Sequence, residues 1–193
     1  MGACVTLSAV TSFPLTGEPL ALDLVNTVIA DAAGGVSDLL DDDEAANEWF
    51  ALHETELDTA RGSPVARGDL VELREALRVL LQAATEGRRA PRRALAHVNA
   101  AAAGGHRALR WTAGGPQALW QGTNGGTDRA VLAAIAQSGI EVLTHDAGRL
   151  RRCGGPGCLL FFVATNPRRR WCSDRLCGNR VRVSRHRHPG SRA

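Results

Sequence analysis

Lysine is absent from this 193-residue chain, and so is any long hydrophobic run. All 23 lysine-plus-arginine positions are arginine, whose permanently charged, fork-shaped guanidinium suits phosphate groups and guanine edges. No apolar run approaches the roughly 18–20 residues that a membrane-spanning helix needs, and no signal-peptide pattern is visible. We therefore expect a cytoplasmic protein with no membrane partner, in which disulfides are not expected.

Charge divides the chain into two parts. From Arg151 to the end there are 11 arginines and one acid, Asp174, which gives +10 and leaves −7 for residues 1–150 because the whole chain carries +3. We predict an acidic domain over residues 1–147, long enough to bury its own core, and a basic module over residues 148–193 that needs a cross-link to fold. The change of sign predicts few contacts between the two, so that residues 1–147 fold alone.

Hydrophobic periodicity predicts a mainly helical acidic domain. Helices are expected at 20–30, from the acidic run at 41–44 through about 52, and at 69–86, 91–102 and 128–146. The helix at 69–86 is predicted to place leucines on its buried face and Arg74 and Arg78 on its solvent face. Alternation at 108–112 and 118–120, around a Gly-Gly-Pro turn, predicts a short β-hairpin. The fold class is therefore α+β.

Three polar residues of the acidic domain are candidates to line a pocket: Asp23, Asn26 and His53. The alternative is structural, with Asp23 and Asn26 bonded to neighbouring main chain and His53 on the surface near a helix end. The sequence shows no nucleophile–base arrangement, phosphate-binding loop or HExxH motif, so we do not predict an enzyme. A small-molecule enzyme is the least favoured class of protein. If these residues line a pocket, we expect it to bind an unidentified small-molecule effector.

Four cysteines form two C-x4-C pairs separated by 13 residues: Cys153, Cys158, Cys172 and Cys177. Thiolates suit tetrahedral zinc, and each pair can bring two sulfurs onto one ion. The alternatives are two disulfides, an iron–sulfur cluster or no metal, but paired spacing in a cytosolic chain favours zinc. Four cysteine ligands close the coordination sphere. The sequence thus predicts one structural Zn²⁺ per chain, with no position for an activated water.

The segment between the pairs predicts a small metal-stabilised fold. Leu159–Val163 is expected to form a strand, Asn166-Pro167 a turn, and 168–171 the returning strand of a hairpin. Ser173 or Asp174 can then cap a helix whose first turns supply Cys177. This order of knuckle, hairpin and helix is similar in outline to a treble clef.

These residues carry a family resemblance. The run Cys153…Cys158…Phe161-Phe162…Trp171-Cys172-Ser173…Cys177-Gly178-Asn179-Arg180 resembles the CGNR zinc finger, named for the tetrapeptide at 177–180. The motif Leu22-Asp23-Leu24-Val25-Asn26-Thr27 resembles the opening of the ABATE domain that usually precedes this finger. The resemblance implies a bacterial, stress-related transcription regulator. The family often carries an acid shortly after the phenylalanine, but Val163–Thr165 has none, so the ion pair that this acid would make within the finger is absent.

The arginines of the module predict its partner. With almost no acids among them they would repel one another, so we expect phosphate contacts rather than a merely solvated face. The candidate nucleic-acid-binding residues are Arg168, Arg169, Arg170, Asn179, Arg180, Arg182, Arg185 and Arg187; Asn179 and Arg180 fit structural roles equally well. The predicted function is a DNA-binding transcription regulator whose N-terminal domain acts as a sensor or forms a homodimer. The alternative is an RNA- or ribosome-binding stress protein.

Overall fold

The computed structural model describes residues 13–14, 17–30, 35–57 and 65–179. Six α-helices are found there: α1 (Leu20–Val25), α2 (Asp43–Leu52), α3 (Glu54–Leu57), α4 (Arg67–Thr85), α5 (Arg92–Ala103) and α6 (Thr127–His145). Three antiparallel strand pairs accompany them: β1 (Val28–Ala30) with β2 (Val36–Asp38), β3 (Gly105–Thr112) with β4 (Gly115–Gly122), and β5 (Leu150–Arg152) with β6 (Phe161–Val163). The predicted α+β class is confirmed.

Helices α1, α4, α5 and α6 surround the main core. On α4 the leucines at 70, 73, 77, 80 and 81 are buried, as the helical period predicts. Helix α6 approaches α4 closely at Gly139, where a Cβ would lie 2.3 Å from Leu77 Cδ2. The predicted bounds of α4, α5 and α6 agree with the structure to within two residues. None of the described helices is both long and apolar enough to cross a membrane.

The helix predicted over residues 20–30 is wrong beyond Val25. Helix α1 ends there, and Val28–Ala30 forms β1, paired with β2 in the register Ile29 to Ser37. Thr27 Oγ1 donates to the Leu24 carbonyl at 2.8 Å, which satisfies that acceptor without another helical turn. Two β-branched residues then favour the extended conformation.

The solvent-exposed position predicted for Arg74 is also wrong. Its side chain is 3% exposed and donates to both carboxylate oxygens of Asp38, at 2.5 and 2.7 Å, and to Thr27 Oγ1 at 3.1 Å. This hydrogen bonding by Arg74 lowers the pKa of Asp38. Arg74 therefore joins α4 to the β1–β2 pair, while Glu72 and Glu75 on the same helix remain exposed.

The hairpin is longer than predicted, with eight paired positions from Gly105–Gly122 to Thr112–Gly115. Its base lies against α6: a Cβ on Gly105 would be 2.9 Å from Ala133 Cβ, and one on Gly122 would be 1.8 Å from the Gly126 carbonyl oxygen. Only glycine permits this approach. We call this pair of strands the ribbon.

The basic module contains strands β5 and β6, which pair across the first cysteine loop with Arg151 opposite Phe162. The predicted pairing of this strand with residues 168–171 is wrong. One edge of β6 pairs with β5, side chains of Asn26 and Glu18 bind the other, and the Arg170 carbonyl instead accepts from the Gly154 N–H at 3.0 Å. The predicted helix is a five-residue π-type turn, Asp174–Gly178, over the described part of the chain. Ser173 Oγ accepts from the Leu176 N–H at 3.0 Å, which confirms Ser173 as the cap.

The two parts are in extensive contact, contrary to the few contacts predicted from charge. Strand β6 alternates between two cores: Phe161 and Val163 join the main core, while Phe162 packs in the cluster around the cysteines. Leu150 also joins the main core. The change in sign of charge near residue 148 therefore marks a difference in surface charge only, because the main hydrophobic core includes residues from both sides of this position.

Candidate metal centre

The four cysteine sulfurs converge on one point. Cys153 follows β5, Cys158 closes the first loop, Cys172 follows the returning segment and Cys177 lies in the π-type turn. All four Sγ atoms lie within 4.8 Å of one another, and Cys153, Cys172 and Cys177 are buried. A zinc ion bound at about 2.3 Å to four sulfurs would set them about 3.8 Å apart, so the cluster has the right size for one tetrahedral ion.

The main chain around the sulfurs supports negative charge. The N–H groups of Gly155 and Cys172 donate to Cys153 Sγ at 3.4 and 3.3 Å. Gly155 also lets the loop fold tightly, because a Cβ there would lie 2.9 Å from Cys177 Sγ. Amide donors and a glycine against the sulfurs are the features expected of a thiolate site.

The thiols are strongly coupled to one another. Hydrogen bonds from Cys158 and then Cys172 lower the pKa of Cys153 to about 2. Hydrogen bonding to Cys153 raises the pKa of Cys158 to about 12, and it also raises the pKa of Cys172. Four sulfurs this close repel one another as thiolates, so a divalent ion bound between them would displace their protons and hold all four as thiolates.

The donor set therefore fits one structural zinc ion, held by Cys153, Cys158, Cys172 and Cys177. No disulfide joins Cys153, Cys158 and Cys172. Four protein ligands complete the tetrahedron, so the ion would act as a cross-link and would have no open position for chemistry.

Asn26 attaches the metal-binding module to the helical domain. Its Nδ2 donates to the Phe161 carbonyl oxygen at 3.0 Å, and its Oδ1 accepts from the Phe161 N–H at 2.8 Å. Asn26 is 1% exposed, and nearby Ile29 packs against the cluster around the cysteines. The side chain thus acts as a short extra strand beside β6.

A second attachment runs from Glu18 to Arg169. One carboxylate oxygen of Glu18 accepts from Arg169 Nη2 at 2.7 Å, and the other accepts from the Val163 N–H at 2.7 Å. Arg169 also donates to the carbonyls of Val163, Trp171 and Cys172, and its Cζ lies 4.5 Å from the centre of the Phe162 ring. An acid of the N-terminal domain, 151 residues before Arg169, thus pairs with an arginine of the finger.

The neighbouring arginines differ from Arg169. Arg168 and Arg170 are exposed, and Arg170 Cζ lies 6.0 Å from the centre of the half-buried Trp171 ring. They line an open groove of about 580 Å³, together with Thr165, Asn166, Arg169, Trp171, Cys172, Ser173 and Asp174. The groove has three arginines and one acid in its lining. We call it the basic groove.

The second half of the predicted nucleic-acid-binding set is only partly described. Asn179 is exposed and follows the π-type turn, and its N–H donates to the Asp174 carbonyl. Arg180, Arg182, Arg185 and Arg187 lie outside the described residues.

The three residues predicted for a pocket are buried. Asn26 has the structural role described above, with both polar atoms on Phe161. His53, expected on the surface, is buried against the Trp49 ring with centroids 4.4 Å apart, and its Nδ1 lies 2.6 Å from Glu56 Oε2. Asp23 is buried on α1. None of the three lines the cavity of about 490 Å³ that lies between α6 and the ribbon.

Sequence reasoning missed Glu18, Arg74 and the structural use of Arg169. Local patterns do not reveal partners 36 to 151 residues away.

Two family models match the chain. The ABATE model, described as "Putative stress-induced transcription regulator", matches residues 18–146. The model of the CGNR zinc finger matches residues 149–189. These matches confirm the resemblance found in the sequence. No curated protein matches the chain.

Proposed function

Because the chain belongs to the ABATE family and carries a CGNR zinc finger after the ABATE domain, it is a zinc-binding regulatory protein, and we propose that it regulates transcription by binding DNA through the finger. The matched families are regulatory and zinc-binding rather than enzymatic. In this proposal the protein acts in the cytoplasm and responds to a stress signal.

The basic groove is the observation that carries the proposal. Arg168 and Arg170 are exposed at its edge, and Arg169 between them is half-buried and hydrogen-bonded to Glu18 and to main-chain carbonyls. The returning segment is thereby fixed, so that two guanidinium groups point outward from a rigid support. Rigid, permanently charged forks are well suited to phosphates along a nucleic-acid backbone.

The partner that fits this surface is a polyanion. From Arg151 onward the chain has 11 arginines and one acid, and such a density of like charge is relieved by phosphate. Trp171 beside Arg170 adds an aromatic edge to the groove. Asn179, exposed at the end of the described segment, and Arg180, Arg182, Arg185 and Arg187 after it complete the proposed contact set. Arg169 is no longer part of that set, because its donors are already used.

The ABATE domain would supply the regulatory input. Asn26 and Glu18 hold β6 and Arg169 in place, so a change in the helical domain is transmitted to the finger through direct hydrogen bonds. The cavity of about 490 Å³, with Glu56, Ser138 and Glu141 in its lining, is the place that we propose for a small-molecule effector.

Salt-dependent binding tests the proposal. The full chain with zinc is titrated against duplex DNA and structured RNA at matched salt, and log affinity is plotted against log salt. Each phosphate contact contributes about −0.9 to the slope, so the double change Arg168→Gln and Arg170→Gln should flatten it by about 2 units. Arg92→Gln with Arg93→Gln, exposed on α5, removes the same charge elsewhere and should leave the slope unchanged.

The outcomes separate the candidate functions. Tighter binding to duplex DNA supports the proposal. Tighter binding to structured RNA identifies the alternative, an RNA- or ribosome-binding stress protein. No binding to either polymer at low salt refutes both and leaves the groove as a surface for another kind of partner.

A further inference from the structure

The ribbon carries an exposed apolar face near its tip. Leu109 and Trp111 are 75% and 77% exposed. Ala118 lies opposite Leu109, and Pro116 lies opposite Trp111. Alternate residues of a strand and their directly opposed partners share one side of a sheet, so these four exposed residues form a single surface. We call it the ribbon face.

The ribbon face is unlike the other exposed apolar residues of the described chain. Val36 and Leu176 are 66% and 44% exposed, each by itself on a different element, β2 and the π-type turn. Val79 and Leu95 are 39% and 41% exposed, and each lies on the outer edge of a helix that packs on the core. A two-stranded hairpin is barely stable in water by itself, and an apolar sheet face normally packs on another layer. The ribbon is firmly held at its base by Gly105 and Gly122 against α6, so it presents this face on a fixed support.

Charge indicates what kind of surface covers the ribbon face. Arg107 is on the same side, and its guanidinium donates to the Ala118 carbonyl at 3.1 Å. Arg110 projects from the opposite side by the alternation of the strand. No acid occurs between residues 105 and 122. The four residues of the face are themselves uncharged, and the nearest cation on that side, Arg107, is hydrogen-bonded back to the ribbon. An uncharged patch of this kind fits an apolar protein surface better than a polyanion.

Residue size makes the face complementary to itself. The β3 side carries the large residues Leu109 and Trp111, and the β4 side carries the small residues Ala118 and Pro116. A two-fold axis parallel to the strands would place β3 of one copy over β4 of the other. Large side chains would then lie over small ones on both sides, as in the packed layers of a β-sandwich about 10 Å apart.

We propose that the ribbon face is the dimerisation surface of this protein, covered by the same face of a second copy. The four residues offer less than the roughly 800 Å² per partner of a standard interface, so the dimer is reversible, with a dissociation constant on the order of micromolar. The inference does not depend on nucleic-acid binding.

Sedimentation of the full, zinc-loaded chain across the micromolar range tests the proposal. The expected result is a concentration-dependent rise from the 20.5 kDa of one chain to about twice that mass. Ala118→Arg places a charge in the ribbon face and should keep the chain monomeric. Gln117→Arg adds the same charge on the opposite side of the same strand and should still dimerise.

A second pair of variants controls for general loss of apolar surface. Leu109→Ser with Trp111→Ser should abolish the dimer, whereas Val79→Ser with Leu95→Ser should retain it. The thermal unfolding of each variant is measured as a monomer to verify folding. A wild-type chain that stays monomeric throughout, or an Ala118→Arg chain that dimerises like the wild type, overturns the proposal. The proposal is also overturned if the Leu109→Ser, Trp111→Ser chain loses nucleic-acid affinity about tenfold while its sedimentation stays that of the wild type. The ribbon would then contact the polymer.

Discussion

Asn26 and Phe161 are hydrogen-bonded in the pattern of two residues on neighbouring strands, but Asn26 contributes its side chain and Phe161 its main chain. The side-chain amide of Asn26 donates to the Phe161 carbonyl oxygen at 3.0 Å and accepts from its N–H at 2.8 Å. The two residues are 135 positions apart and both are buried. One side chain of the helical domain thus satisfies the free edge of a strand in the zinc module.

Removing this side chain should destabilise the whole protein. Asn26→Ala leaves two main-chain groups of Phe161 buried without partners, at about 1–3 kcal/mol each, so we expect a loss of about 2–6 kcal/mol in the free energy of unfolding. Urea denaturation of the full chain measures it. Asn99→Ala, on the exposed side of α5, is the matched control and should change stability by less than about 0.5 kcal/mol. Equal stability of the two variants would show that the pairing contributes nothing.

Residues 1–147 alone should be less stable than the full chain. The fragment lacks Leu150, Phe161 and Val163 from the main core, and it leaves Asn26 and Glu18 without their partners. We expect a loss of about 3 kcal/mol or more, together with binding of a hydrophobic dye. Thermal unfolding of fragment and full chain makes the comparison. A fragment as stable as the full chain would support the independent domain first predicted from charge.

Substitution of Arg169 should lower stability without affecting nucleic-acid binding, whereas substitution of the adjacent Arg168 should do the reverse. Arg169→Gln removes the ion pair with Glu18 and the bonds to three carbonyls, so we expect a loss of about 1.5–3 kcal/mol of stability and an unchanged salt slope of binding. Arg168→Gln should leave stability within about 0.5 kcal/mol and flatten the slope by about one unit. Denaturation and salt titration of both variants measure the two effects. A flatter slope for Arg169→Gln would return this residue to the interface.

We expect one zinc ion per chain, bound with an affinity that depends on the small size of Gly155. Elemental analysis checks the ratio, and Cys172→Ser should abolish binding and expose residues 150–179 to protease. Gly155→Ala forces a methyl group to within 2.9 Å of Cys177 Sγ, so we expect zinc affinity to fall about tenfold or more in competition with a chelating dye. Gly68→Ala, where a Cβ meets nothing within 4 Å, should retain full affinity. A zinc-free wild-type chain would refute the site.

Acid should weaken the protein partly through Asp38. Its pKa lies below the ordinary value of 3.8 because Arg74 donates to it, so its stabilising effect is complete above that value and is lost as pH falls through the lower, folded-state pKa. Asp38→Asn should be less stable at pH 7 and should lose less of its remaining stability on acidification below about pH 4. Unfolding measured across the acid range tests this. Parallel pH profiles for both chains would contradict it.

The sequence predicted features that depend on local pattern. The spacing of Cys153, Cys158, Cys172 and Cys177 was sufficient to identify the metal site, and the leucine period located α4 closely. The helix predicted over residues 20–30 was wrong beyond Val25, because hydrophobic periodicity carries no information about the hydrogen bonds of Asn26 with a strand 135 residues later. Arg74 was misplaced for a similar reason: a polar side of a helix looks the same in sequence whether water or an ion-paired strand covers it.

The division of β6 between two cores has a thermodynamic consequence. Metal binding fixes β6, the strand that completes the helical core. Zinc binding and packing of the helical domain are therefore thermodynamically coupled, and linkage requires this coupling to be reciprocal. A ligand that tightens the helical domain around Asn26 must raise the affinity of the cysteines for zinc by the same factor by which zinc raises the affinity for that ligand. The occupancy of the metal site is therefore a property of the whole chain, set in part by residues that never touch the ion.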